Sequence, residues 1–306
     1  MCIIIMINPI IYADACLNAI SVWALNVLPL LFPFFIFTRL IVSLNQPKHN
    51  FMDKFFNRAF HTPIGSFNTF FLSTLSGYPM GAKLICTMSE NKQATQKEAE
   101  KMLSFCSVSG PMFMLGTVGL MMLKSYKAGM IILISNIIAS LLNGLIYRGK
   151  NENIISKPSY VSTKKDNILA DSVYDSLVSI LMVGAYIVLS FLIIEIGKNL
   201  KIFDFITNAI CGVCNLRNSH SVVQSVLFGI VEMTSGILNL SATSISLSLK
   251  TVLASGLIGF GGISVLMQSL NFLSKLHISP KKMLLQKFTQ CLLCLAITTP
   301  LSLIFL

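Results

Sequence analysis

Ser76-Gly77-Tyr78-Pro79-Met80-Gly81-Ala82-Lys83 follows directly on a short apolar run, residues 64–75 (IGSFNTFFLSTL). A bilayer crossing needs about 20 apolar residues in one helix. This run is little more than half that length, and it ends in residues that stop one helix and start another. Gly77 tolerates backbone shapes closed to other residues, and Pro79 suits the first turn of a new helix. The stretch therefore predicts a helix that stops and restarts within the hydrocarbon. Each unsatisfied backbone group there costs several kcal/mol, so such a break persists only against protein or a water-lined cavity. Lys83 falls about one turn into the restarted helix. An ammonium beside helix N-terminal amides is an anion site; the plainer alternative is an interfacial lysine that snorkels.

Three further strings read the same way. Ser107-Val108-Ser109-Gly110-Pro111 interrupts a helix opened by the capping box Thr95-Gln96-Lys97-Glu98, and an apolar helix follows over 111–123. In the second half, a short helix over 221–231 ends in Glu232-Met233-Thr234-Ser235-Gly236. Another over 244–258 ends in Gly259-Phe260-Gly261-Gly262, before a helix over 263–274. The breaks near Gly77 and Gly110 correspond to those near Gly236 and Gly261, with almost no residue identity between the halves. A single Gly or Pro break is commonly a mere kink, but Gly-interrupted short apolar segments in matching positions of two halves point to a transporter site.

The rest of the chain fits a membrane. Hydrophobic types make up 54% and charged types 11%, with a mean hydropathy of +0.75, against about 25% charged residues in a soluble domain. About eight strongly apolar segments alternate with short basic loops. Those over 19–44 (with Pro29 and Pro33), 128–147, 173–196 and 288–306 are long enough to cross, whereas 2–12 is too short and reads as a shortened helix or an interfacial segment. No basic region precedes 2–12, so it does not read as a signal peptide. The expected architecture is an all-α polytopic membrane protein. Residues 1–148 form a first membrane repeat, 149–171 a basic cytoplasmic linker and 172–306 a second repeat. Placing the basic loops 45–61, 148–165 and 275–287 inside requires inverted repeats and an external N-terminus. The +11 net charge belongs to such loops. No basic stripe with interleaved aromatics suggests nucleic acid.

Several polar residues sit where hydrocarbon makes them expensive. Glu232 has no charged neighbour from Val222 to Leu240, and a carboxylate there costs at least ~2.5 kcal/mol, so it should be paired, protonated or functional. Lys83, in the matching break, is the expected partner. Gln268 and Asn271 lie three apart on one helix and should share a face. Ser76, Ser109, Thr234 and Ser235 add hydroxyls at the breaks, although each polar residue taken singly also serves as interhelical glue. Glu195 lies near a helix end beside Lys198. The pairs Cys211/Cys214 and Cys291/Cys294 have CxxC spacing but no His at ligand spacing, and Cys291 and Cys294 sit in an apolar run, so they read as free thiols and no metal is expected. There is no P-loop, HExxH, GxSxG or dinucleotide fingerprint. The chain is expected not to be an enzyme and to need no cofactor.

At these residues the chain resembles a known family. Val27-Leu28-Pro29-Leu30-Leu31-Phe32-Pro33-Phe34-Phe35, the 76–83 string, Phe105-Cys106-Ser107-Val108-Ser109-Gly110-Pro111-Met112-Phe113, Glu232 to Gly236, and Gly259 to Gln268 resemble the sporulation integral membrane protein YlbJ (SpoVV) family. The resemblance runs from about residue 13 to residue 306. It implies "gate" nucleoside-recognition domains, with discontinuous, re-entrant helices similar to the core of concentrative nucleoside transporters. It also implies movement of dipicolinate, an aromatic dicarboxylate, across the outer forespore membrane. The expectation is a secondary transporter of a small anion bound by Ser76, Gly77, Tyr78, Lys83, Ser109, Gly110, Glu232, Thr234, Ser235, Gly261, Gln268 and Asn271. The alternatives are a nucleoside or other neutral cargo, and a non-transporting scaffold for spore assembly. Expected partners are the solute and the bilayer, with self-association left open.

Overall fold

The long helices of this protein are inside out. On the last of them, Lys287, Gln290, Thr298 and Ser302 are buried, while Leu285, Phe288, Leu292 and Leu303 are exposed. Water would enforce the reverse; lipid permits it, because polar groups then find partners only inside the protein. The computed structural model describes residues 6, 8–44, 51–149, 167–213, 219–276 and 278–306. Residues 150–166 of the expected 149–171 linker lie outside these residues, as does Cys214, and a helix begins within its end at Ile168.

A helix α1 (Pro9–Val22) runs through a π-turn (Trp23–Val27) into α2 (Leu28–Leu44). The segment 2–12 is therefore not a separate short helix: from Pro9 on it is the start of a span. Pro29 and Pro33 do not end the run. The carbonyl with which Pro29 would clash, that of Leu25, lies in the π-turn, where the helical ladder is already rearranged. Helix α3 (Phe51–Phe60) follows, then α4 (Ser66–Ser76), α5 (Met80–Glu90), α6 (Gln96–Cys106), a π-helical stretch (Phe113–Met122) and α7 (Tyr126–Ile146). The second half has α8 (Ile168–Asn199), α9 (Ile202–Val213), α10 (His220–Val231), α11 (Met233–Ser241), α12 (Leu247–Phe260), α13 (Gly262–Leu273) and α14 (Pro280–Phe305). Of these, α3 replaces part of the basic loop expected over 45–61, and α9 falls where no segment was assigned. Both are amphipathic: α3 buries Phe56 and Phe60 while Lys54 and Arg58 stay exposed.

Among the described residues, five segments are long and apolar enough to cross a membrane: Pro9–Phe37, Tyr126–Ile146, Ile168–Asn199, Leu247–Leu273 and Pro280–Phe305. The chain is an all-helical integral membrane protein. The two short segments expected over 244–274 together make one of these crossings, bent at Gly261. The capping box at Thr95 is present, with the Thr95 amide donating to Glu98 Oε2 at 2.8 Å.

The halves interlock. Asn143 of α7 donates to the carbonyls of Ser104 (2.7 Å) and Gln286 (3.1 Å). Asn136 donates to Ser255 Oγ at 3.1 Å, which also accepts from Thr298 Oγ1 at 2.7 Å. These bonds tie α7, α12 and α14 together through polar side chains, the association device available where lipid removes the hydrophobic drive. Glu195 pairs with Lys198 at 3.2 Å, as its place near a helix end suggested.

Candidate functional site

Two helical hairpins meet two glycine breaks. In the first, α4 and α5 fold back on each other, with Thr69 Oγ1 bonded to Met88 Sδ at 3.0 Å near the open end. The tip is Gly77, at φ 72° and ψ −171°, a region essentially reserved for glycine, followed by a cis Tyr78–Pro79 peptide. In the second, α10 and α11 are joined through Glu232 in an extended conformation. Each tip presses on the break of the helix that follows its hairpin. A Cβ on Gly77 would lie 2.5 Å from the Gly110 nitrogen, and one on Gly262 would lie 3.1 Å from the Val231 oxygen and 3.2 Å from the Met233 nitrogen. Side chains are excluded at these positions because backbone packs on backbone.

The expected break over Glu232–Gly236 begins where it was placed but is confined to Glu232. The chain turns at Glu232, and Gly236 is helical within α11. Gly236 instead lets α11 approach α10, since a Cβ there would overlap Gly229. At Gly261 the chain takes a left-handed conformation, φ 83°, between α12 and α13.

The two tips, the Gly110 break and the first turns of α13 line a partly open cavity. Of the expected site residues, Ser76, Gly77, Tyr78, Ser109, Gly110, Glu232, Thr234 and Gln268 line it. Its remaining wall is largely apolar and aromatic, with Phe34, Phe35, Phe113, Val183 and Ile187. The cavity offers about 40 Å³ to the centres of water-sized molecules, room for about three waters at ~10–15 Å³ each. Four expected residues stand elsewhere. Ser235 is buried behind the cavity, and its amide donates to Glu232. Gly261 packs on the Tyr78 ring, which a Cβ there would meet at 3.5 Å. Lys83 lines an adjoining cavity with Arg39, Pro79, Met80 and Ser179. Asn271 is exposed. Three residues along a helix are about 4.5 Å of rise and 60° of rotation, enough to carry Asn271 off the face on which Gln268 is buried.

Glu232 is not held by Lys83. Its carboxylate accepts from the Thr234 amide at 3.0 Å and the Ser235 amide at 2.6 Å, capping α11. The charge is met by the positive end of its own helix. By contrast α5, whose Met80 and Lys83 line the adjoining cavity, has no side-chain cap at its N-terminus. The adjoining cavity shares Phe35, Ser76 and Tyr78 with the central one, so the Tyr78 ring stands between them. There Arg39 pairs with Asp175 at 2.7 Å and donates to Ser179 Oγ at 2.7 Å.

The expected site omits Ser264, Arg39 and Lys287. Lys287 reads as part of the basic stretch 275–287 but is buried on α14. The signal was in the sequence. Lys287, Gln290, Cys294, Thr298 and Ser302 recur at three- and four-residue steps, a single helical stripe.

No family model matches the chain, and no solved structure matches it. It is similar to the curated sporulation integral membrane protein YlbJ of Bacillus subtilis (strain 168), at 26% identity over 303 residues, covering 90% of this chain and 74% of that protein.

Proposed function

We propose that this homologue of a sporulation integral membrane protein is a secondary transporter of a small aromatic anion, dipicolinate or a close analogue, in the outer forespore membrane. The observation that carries the reading is the convergence of two hairpin tips, the Gly110 break and helix α13 on one aromatic-walled cavity. Discontinuous helices meeting near mid-membrane are the form that solute sites take in secondary transporters. We read the two halves as inverted repeats similar to the core of concentrative nucleoside transporters.

The solute's ring suits the Phe34, Phe35 and Phe113 walls. One carboxylate takes the uncapped N-terminus of α5, and the Lys83 and Arg39 side chains of the adjoining cavity supply positive potential on its path. Gln268 orients the solute by hydrogen bonding. Glu232 already satisfies the amides at α11, so it adds a like charge to the cavity when an anion enters. A proton on Glu232 removes that repulsion, and it would couple solute to proton. The present cavity is too small for such a solute, so loading requires the tips to part.

Uptake of labelled dipicolinate into vesicles carrying the protein tests this. Lys83→Ala and Glu232→Gln should insert normally and lose most uptake. If both insert and still transport at the wild-type rate, the site assignment is wrong. Uptake indifferent to solute charge would favour a nucleoside or other neutral cargo. Normal dipicolinate loading in a deletion strain would favour a scaffold.

A further inference from the structure

Lys287 lines neither cavity but reaches Tyr78, which lines both. The residue is 3% exposed. Its ammonium donates to Tyr78 Oη at 2.8 Å, to the Ser107 carbonyl, and to Gln290 Oε1 at 3.3 Å. It also lies over the Tyr78 ring, 4.5 Å from the centroid. Among the described residues no carboxylate pairs with it. A buried charge without a counter-ion is strongly disfavoured unless neutral oxygens and ring faces replace its water.

That arrangement is how a protein holds a small monovalent cation. Ser107 follows directly on α6, so its carbonyl stands at the negative end of that helix, at a break. Unwound carbonyls and half-helix C-termini at such breaks are the coupling-ion ligands of secondary transporters. Here the position is filled by a side chain of α14, which ties the first hairpin tip to the break of α6.

We propose that Lys287 is a tethered cation occupying a built monovalent-cation site, so that the protein assembles its solute cavity without sodium. The part concerning solute rests on the transporter reading; the occupancy of the site does not.

Thermal unfolding of the purified full chain in detergent separates the two. Wild type, Lys287→Ala and Lys287→Met are compared in sodium, methylammonium and choline chlorides at equal ionic strength. Wild type should unfold at one temperature in all three salts. Lys287→Ala should unfold several degrees lower in choline and recover in sodium or methylammonium, which fit the vacated space. Lys287→Met, which fills the space without charge, should be lowered in every salt. A wild-type midpoint raised by sodium over choline overturns the proposal. So does a folded Lys287→Ala with no cation-specific recovery. If the alanine variant does not fold, a Lys287→Met midpoint equal to wild type overturns it, because the charge is then unnecessary. In vesicles, wild-type uptake should be unchanged when sodium is replaced by choline; a strict sodium requirement there also overturns it.

Discussion

The two hairpin tips solve one problem with opposite charges. Both bring a helix end into the protein interior, and both rest on a glycine break that follows in the chain. At the second tip the orphan amides of α11 are met by Glu232, a carboxylate from within the turn. At the first tip α5 has no such cap, and the nearby charge is the Lys287 ammonium, which holds Tyr78. A helix N-terminus that carries its own carboxylate has little left for an anion; one that does not is available. The second half therefore supplies a closed structural tip and the first an open one.

The largest effect tests the shared geometry. Gly77→Ala faces both a backbone region that costs a non-glycine residue about 1–3 kcal/mol and a Cβ 2.5 Å from the Gly110 nitrogen. We expect little folded protein on detergent extraction, read by fluorescence-detected size exclusion. Glu232→Ala comes next. It orphans two buried amides at about 1–3 kcal/mol each, whereas Glu232→Gln keeps an acceptor and should recover much of the loss in thermal unfolding. If Ala and Gln variants unfold alike, the carboxylate is not the cap, and the contrast between the tips falls. Gly262→Ala should be milder than Gly77→Ala. Its φ of 76° is unfavourable, costing an L-residue about 1–2 kcal/mol, but the nearest atom is 3.1 Å away. A larger loss at Gly262 than at Gly77 would show that the second junction is the tighter. Asn271→Ala should leave both stability and uptake nearly unchanged, within about 0.5 kcal/mol, as surface substitutions do.

Much of the candidate site was legible because breaks are local chemistry. Gly77 and Gly261 turn the chain through positive-φ conformations, Gly110 allows the close approach of Gly77, and Ser76, Tyr78, Ser109, Glu232, Thr234 and Gln268 are conspicuous as polar groups in apolar runs. The helix end at Val231 was placed correctly, but Gly236 was counted in the break because it looks like a helix breaker. Its real role, close approach to Gly229, depends on a hairpin that periodicity does not reveal. Asn271 was grouped with Gln268 by spacing alone, but a cavity edge can fall between two residues of one helical face. Lys287 was assigned to a basic loop because Lys281 and Lys282 lie beside it, and charge density was weighed above the polar stripe running down α14.

Sequence by itself determined that lipid must solvate this chain, that its helices break at Ser-Gly, Ser-Gly-Pro and Gly-Gly positions, and that polar groups gather at those breaks. Those properties follow from hydrophobicity and backbone freedom, which each residue carries with it. The tertiary structure alone decided which charges meet. Glu232 turned to its own helix, Lys83 took its place in the adjoining cavity, and Lys287 came 209 residues along the chain to Tyr78. Inside a membrane an ionised group is stable only where the folded protein replaces its water, and that place exists only after distant helices have packed.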